Sequence, residues 1–453
     1  MFTGEHVHLM GVGGCGVSAL VPLLLRAGAR VSGCDLQRSA AVKRLCSSGI
    51  DVLVGHDASH VAGIDIIVHT SAVEPDHMEL RAAREAGIPV LSRSACLAEL
   101  MRGHKTVAIA GSHGKTTTTW FTGHLLARAG VDPVVMVGGS VPELGNAGTR
   151  LGQGAWFVAE VDESDGGFRH VDPSIAVVTN LDDEHLRHYG GRDGLQQAFR
   201  QWLSRVPADG RTVITAGSVP PSLLDGLAAP VLRCSVEEGD YRVVDLRIGA
   251  ESSTGRVLHG DQDLGELQVP LPGRHNVENA LCALAAARCI SSACCPTALA
   301  DCERVARRFT VHGQPRQIRV VEDYAHHPTE IRAVIAAAAR PNVGVHVLFQ
   351  PHRYSRTADL YDDFVVCFDR ASSLTLLPIY AAAEDPIPGV SARLLGEAIA
   401  MCGRLPVQYT RQREAALRHI AATVRPGDTV LLLGAGDVGR LAPQLVEVLT
   451  CPD

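Results

Sequence analysis

Lysine is nearly missing from this chain: among 42 basic residues in 453, only Lys43, Lys105 and Lys115 are not arginine. No C-x-x-C pair occurs among the thirteen cysteines, and only Cys294 and Cys295 are adjacent. Spacing therefore indicates neither a zinc site nor a disulfide framework, and reduced, mostly buried thiols are expected. No run approaches the roughly 20 apolar residues of a membrane span. The opening "MFTGEHVHLM" has no charged-then-apolar export layout. The expectation is a cytoplasmic protein with no membrane contact. With a net charge of -7 and no basic block, nothing electrostatic favours nucleic acid as partner. Anionic substrates would need local basic sites.

The rest of the composition, 46% hydrophobic and 20% charged, is that of a globular protein, and the length suggests about two to four domains. Short apolar runs alternate with longer helical patterns, which predicts an α/β fold with parallel sheets. Three blocks are expected, at 1–103, 104–312 and 313–453. The first has strands at 6–10 and 29–35, with a helix to about Ala27 between them. The second opens with a strand at 106–110 and a helix to about Ala129, which Gly130 ends. Its later strands, 156–161 and 175–180, finish in acidic or polar residues. The polar "TVHGQPRQ" near His312 reads as a linker.

In open α/β sheets, ligands sit at the carboxyl ends of strands, so the motifs there carry the chemistry. "GVGGCG" places Gly11, Gly13, Gly14 and Gly16 after a strand and before a helix, and Asp35 ends the next strand. Such a turn recognises a diphosphate and a ribose. NAD and a UDP-linked ligand both satisfy it, and a purely structural turn is the bland alternative. An NAD-binding oxidoreductase, with Cys15 in the loop, is the reading from a different class. "GAGDVG" (434–439) matches the same pattern, but no strand with an acidic end follows it, so a structural turn is favoured.

"GSHGKTT" (111–117) lacks the first glycine of the general phosphate loop, since Ile109 stands there. It keeps Gly111 and Gly114 for a backbone curl, Lys115 for the terminal phosphates of a triphosphate, and Thr116 for Mg2+. A rare lysine falls inside the motif. "AEVDESD" offers Glu160, Asp162, Glu163 and Asp165, hard oxygen ligands suited to Mg2+. In "TNLDDEHLRHYG", His185 follows an acidic run and is a candidate for a second metal. In "PGRHNVENAL", His275, Asn276 and Asn279 open a helix where amides can meet a base edge, although Asn276 as a helix cap competes. "YAHHP" and "FQPHRYSRT" contribute Tyr324, His326, His327, His352, Arg353 and Arg356; two arginines three apart can clamp a carboxylate.

Taken in order, "GVGGCGVSAL", "VHTSAV", "AGSHGKTTTT", "AEVDESDGGF", "VTNLDDEHL", "PGRHNVENAL", "DYAHHPTE" and "FQPHRYSRT" resemble the Mur ligase family nearly end to end. The resemblance implies three domains: a Rossmann-like N-terminal domain for a UDP-sugar, a central P-loop ATPase-type domain, and a Rossmann-like C-terminal domain for an amino acid. It implies an ATP-dependent ligase that joins L-alanine to the carboxylate of UDP-N-acetylmuramate through an acyl phosphate. A member that reattaches a recycled peptide is the near alternative. ATP would lie on Gly111, Ser112, His113, Gly114, Lys115, Thr116 and Thr117, with His275, Asn276 and Asn279 at adenine. Two Mg2+ ions are implied, on Thr116, Glu160 and His185. The UDP moiety would meet Gly11, Gly13, Gly14, Gly16, Asp35, His69 and Ser71. Tyr324, His326, Arg353 and Arg356 would surround the amino acid, and Lys115, His326 and Arg353 would be catalytic. The partners are these small molecules, and the expected state is a monomer or homodimer. The chain departs from the family's pattern at Ser112, Glu184, Arg187, Glu322 and Ala325.

Overall fold

The structure, a computed structural model, describes residues 1–451. It forms two compact units: 1–246 with 254–270 and 276–305, and 247–253 with 271–275 and 306–453. Three sheets make a three-domain α/β protein.

The first sheet runs in the order Asp51–Val54, Arg30–Asp35, His6–Met10, Ile66–His69, Val90–Ser92, and all its pairings are parallel. The winding reverses between His6–Met10 and Ile66–His69. A crevice opens at such a reversal beyond the strand ends, so Gly11 and His69 lie together there. The expected first helix is broken into Cys15–Ser18 and Val21–Arg26. Pro22, in the first turn of the second piece, has no amide to continue the ladder.

The second sheet has ten strands: Gln262–Val269, Ser253–His259, Tyr241–Ile248, Val231–Cys234, Arg211–Thr215, Ile175–Val178, Lys105–Ala110, Trp156–Glu160, Val134–Val141 and Ala147–Arg150. Lys105–Ala110 is flanked in parallel by Ile175–Val178 and Trp156–Glu160. The loop after it is therefore bracketed by both acidic strand ends. Phe168, Phe199 and Trp202 pack below them, with ring centroids 4.8 and 5.4 Å from Phe168. Each such burial contributes about 2 to 3 kcal/mol. The Phe168 amide donates to the Asp162 carbonyl at 2.9 Å, which ties the 162–168 loop to this aromatic anchor.

The third sheet runs Thr310–Gly313, Arg319–Asp323, Thr429–Leu433, Val345–Phe349, Ser373–Leu376, Val407–Tyr409. Residues 310–313 are thus an antiparallel edge strand and not a linker. Thr310 and Val311, both β-branched, favour the extended pairing over their polar neighbours' turn preference.

Among the described residues, no helix is long and apolar enough to cross a membrane.

Candidate functional site

Ile109, at the position of the missing glycine, is a fully buried residue in the middle of the strand pairings, opposite Val177 and Glu160. The curl starts two residues later. Gly111 has φ +126°, and a Cβ there would lie 2.4 Å from Thr179 Oγ1. Gly114 has φ +81°, and its Cβ would lie 2.4 Å from Asn279 Oδ1. Only glycine fits either place. Asn180, which spacing did not single out, holds the loop. Its Oδ1 accepts from the His113 amide at 2.8 Å, and its Nδ2 donates to the His113 carbonyl at 3.0 Å. Ser112 keeps the role of a hydroxyl, its Oγ accepting from the Asp182 amide at 2.9 Å.

Gly114 opens the helix Lys115–Arg128, and no side chain caps that N-terminus. Its first-turn amides and dipole thus face the loop's interior, an arrangement suited to phosphate. Lys115 Nζ donates to the Gly111 carbonyl at 2.6 Å and to Glu163 Oε1 at 2.9 Å. Burial opposes its charge, but Glu163, Asp162 and Glu160 outweigh that and hold the ammonium's pKa above its ordinary value. Burial also opposes ionisation of Asp162, yet Lys115 and Arg93 hold it at about 2. Glu163 is the member left short of positive charge: burial, with Asp162 adding to it against the pull of Lys115, pushes it up to about 7.

Thr116 Oγ1 donates to Glu160 Oε2 at 2.8 Å, and the Gly138 amide donates to the same oxygen at 2.9 Å. Glu163 Oε2 is buried without a hydrogen-bond partner. A hydroxyl and two carboxylates, one of them with an orphaned oxygen, make a hard-oxygen set that fits a divalent cation. His185 stands at φ +58° before the short helix Leu186–Tyr189. Of the two departures around it, Glu184 is buried and Arg187 is exposed. Tyr189 of that helix donates its hydroxyl to the Glu163 carbonyl. Asn276 and Asn279 are both buried on the helix Arg274–Arg288, and His275 begins the same helix.

In the first sheet, Gly11 has φ +72°, and a Cβ there would lie 2.8 Å from Thr70 Cγ2. The Gly13 amide donates to Asp35 Oδ2 at 2.9 Å, so the acid that ends the second strand pins the loop. His69 Nδ1 is 3.0 Å from the Thr70 carbonyl, and Ser71 is exposed beside it. Arg93 was not anticipated. Its side chain packs on Gly16, whose Cβ would lie 3.1 Å from Arg93 Cδ, and reaches Asp162 Oδ2 at 3.2 Å. No motif surrounds it, and only the chain's return through the strand Val90–Ser92 places it there.

In the second unit, Tyr324, His326, Arg353 and Arg356 come from the ends of neighbouring segments. His326 Nδ1 is 3.0 Å from the Tyr324 carbonyl and 3.3 Å from Glu330 Oε2. Its ring is 5.9 Å from that of His352, and Arg356 Nη1 is 3.3 Å from His352 Nδ1. Burial, helped by Arg356, keeps His326 well below the usual imidazole range despite Glu330. Burial and the two arginines lower His352 to about 4. Both imidazoles are neutral at pH 7 and the arginines carry the charge. Arg353 caps the helix Tyr354–Asp359 at φ +71°, its Nε 4.0 Å from Glu384 Oε1. The guanidinium of Arg307 lies over the Tyr324 ring at 4.8 Å. Glu322 makes an ion pair with Arg307 at 2.8 Å and meets His312 at 2.9 Å. The longer acid thus has a structural use.

The glycine loop 434–439 is closed by the protein itself. Gln350 Oε1 accepts from the amides of Asp437 and Val438 at 3.0 and 3.1 Å. Cβ atoms at Gly436 and Gly439 would meet Gln350 Oε1 and Glu322 Oε1.

A phosphate loop between acidic strand ends, a glycine turn at a sheet's reversal point and an arginine–histidine cluster define a nucleotide-using enzyme of three α/β domains. The chain belongs to the Mur ligase family: residues 6–105 match its catalytic domain, 109–287 its middle domain, and 307–436 its glutamate ligase domain. It is 43% identical over 448 residues to the UDP-N-acetylmuramate--L-alanine ligase of Anaeromyxobacter sp. (strain Fw109-5), covering 98% of this chain and 97% of that one. The protein of the same name from Methylococcus capsulatus is 42% identical, covering 98% and 96%. The crystal structure of UDP-N-acetylmuramate-alanine ligase MurC from Thermotoga maritima superposes with a TM-score of 0.82 at 25% identity, covering 98% of both chains. The murein peptide ligase of Psychrobacter arcticus shares the fold at a TM-score of 0.72 and 23% identity, covering 99% of both.

Proposed function

We propose that this protein is the ATP-dependent ligase that joins L-alanine to the carboxylate of UDP-N-acetylmuramate in the synthesis of peptidoglycan precursors. The observation that carries this reading is the half-buried Lys115 in an uncapped glycine loop beside Thr116 and Glu160, in a chain 43% identical end to end to a ligase of that name.

A carboxylate is a poor electrophile until one of its oxygens becomes a leaving group. The muramate oxygen attacks the γ-phosphorus of ATP, the bond to ADP breaks, and an acyl phosphate results. The amino group of L-alanine then attacks the acyl carbon; the C–O bond breaks, phosphate departs, and one proton leaves the nitrogen. Lys115 stabilises charge on the transferring phosphoryl group. Gly111, Ser112, His113, Gly114, Thr116 and Thr117 cradle the phosphates, and His275, Asn276 and Asn279 hold the adenine. Thr116 and Glu160 would hold Mg2+, with His185 at a second ion, and the metal would supply neutralisation of phosphate charge. Gly11, Gly13, Gly14, Gly16, Asp35, His69 and Ser71 hold the UDP moiety. Arg353 and Arg356 clamp the alanine carboxylate beside Tyr324. Neutral His326 is the acceptor for the amine proton.

The test is ADP release with UDP-N-acetylmuramate fixed and the acceptor varied among L-alanine, L-serine, glycine and a cell-wall tripeptide. Release that requires both the sugar nucleotide and L-alanine is expected. A preference for the tripeptide would make the protein a recycling ligase, and ATP hydrolysis indifferent to both would refute the ligase reading.

A further inference from the structure

A second cluster of ligating side chains lies within the first sheet's layer, on the strands that lead into the glycine turn and Asp35. His8 and Cys34 sit on adjacent parallel strands. His8 pairs with Ser32, and Cys34 is two residues further along, so all three share one face. Against that face lie His60, from the turn Ala58–Val61, and Glu79, from the helix Met78–Glu85. One ligand atom from each of His8, Cys34, His60 and Glu79 falls within 4.8 Å of the others.

Two features show that this is more than a hydrogen-bonded patch. His8 is 2% exposed; its Nδ1 is 2.9 Å from Ser32 Oγ, while its Nε2 is buried with no partner. Glu79 is fully buried, and its ion-pair partners among the described residues are the imidazoles of His56 and His60, with no lysine or arginine. A buried carboxylate without a permanent counter-charge and an imidazole nitrogen without a bond are both satisfied by one cation.

The donor set identifies the cation. Cys34 Sγ is 3.4 Å from Glu79 Oε2, close to the edge of about 3.5 Å expected between sulfur and oxygen around tetrahedral zinc. Sulfur with two imidazoles selects a thiophilic ion over Mg2+. We infer that His8, Cys34, His60 and Glu79 form a tetrahedral site for Zn2+. Binding breaks the Cys34 S–H bond, forms a sulfur–zinc bond and releases the proton to solvent. Ser32, bonded to His8 Nδ1, orients the ring so that Nε2 faces the metal. The Cys34 carbonyl accepts from the amides of Gly11 and Val12 at 2.9 and 3.2 Å, so the ion clamps the strand end that carries the first glycine turn.

The experiment uses the full-length, reduced, chelator-stripped protein titrated with Co2+ as the probe, then with Zn2+ and separately with excess Mg2+. One equivalent of Co2+ is expected to give thiolate charge-transfer absorption in the near ultraviolet and the visible bands of a tetrahedral ion. Zn2+ should bleach them at stoichiometry and Mg2+ should not. Cys34→Ser should abolish the charge-transfer band, and Ser32→Ala should weaken affinity about 10-fold or more. Absence of the bands, their survival in Cys34→Ser, or displacement by Mg2+ overturns the site. Should Cys34→Ser fail to fold, Ser32→Ala decides: unchanged affinity rejects the assignment.

Discussion

Two of this protein's glycine loops, those of the second and third sheets, follow buried parallel strands and open on a left-handed glycine, Gly111 at φ +126° and Gly434 at φ +148°. In the loop 434–439, the bonding capacity is used up internally. Gln350 takes two of its amides, Arg307 donates to the carbonyls of Gly434 and Gly436, and Arg413 reaches Asp437. In the loop 111–114, the helix is uncapped, a half-buried ammonium lies against the Glu163 carboxylate, and Glu163 Oε2 has no partner. Glycine spacing makes a turn, and the bonding capacity left over at 111–114 is what marks that loop as the candidate ligand site.

Substitutions on either side of this contrast separate activity from stability. Lys115→Ala should lower ligase turnover by about a thousandfold, the upper range for loss of a preorganised donor, while UDP-sugar binding is retained. ADP release and a calorimetric titration measure the two, and near-normal turnover would remove Lys115 from its role.

In the second unit, Asp323 is buried, accepts from the amides of Phe309 and Ala325, and lends its carbonyl to the Gly434 amide. Burial raises its carboxyl from 3.8 to about 6. The folded chain therefore holds this proton more tightly than the unfolded chain, and stability falls as pH rises from about 4 to 6. Relative to wild type, Asp323→Asn should gain at most about 3 kcal/mol between pH 4 and pH 7. Denaturant midpoints at the two pH values should show it, and a pH-independent difference would reject the raised value.

Gly114→Ala places a methyl against Asn279 in a left-handed backbone. It should cost about 100-fold in kcat/KM for ATP through displacement of the loop. Initial rates against ATP concentration test this. The smallest effect is expected from Gln350→Ala, which orphans the amides of Asp437 and Val438. A loss of about 2 kcal/mol in stability with unchanged KM for ATP is expected. A raised KM would mean that the second loop also serves the nucleotide.

Much of the candidate phosphate site was legible because its parts are local. Gly111, Gly114, Lys115 and Thr116 lie within six residues, and a strand-turn-helix context suffices to aim them. The acidic strand end at Glu160 was legible as well, since Lys105–Ala110 and Trp156–Glu160 are neighbours in the sheet. Asn180 and Arg93 were not. Their roles depend on which strand ends adjoin, and nothing in their own neighbourhoods distinguishes them from ordinary polar residues. The stretch 310–313 was misread because turn-forming neighbours masked two β-branched residues that an edge strand could pair.

What the sequence determined by itself was the α/β class, the strand-turn-helix of the glycine loop 111–114 and membership of the family, because each rests on short-range pattern or on motifs in a fixed order. Only the tertiary structure decided which glycine turn is filled by its own protein, since Gln350 arrives from a different strand. It alone assembled His8, Cys34, His60 and Glu79, whose separations follow no metal-binding spacing. Parallel strands joined by crossovers bring together residues that are far apart in the chain, and that adjacency is a property of the sheet.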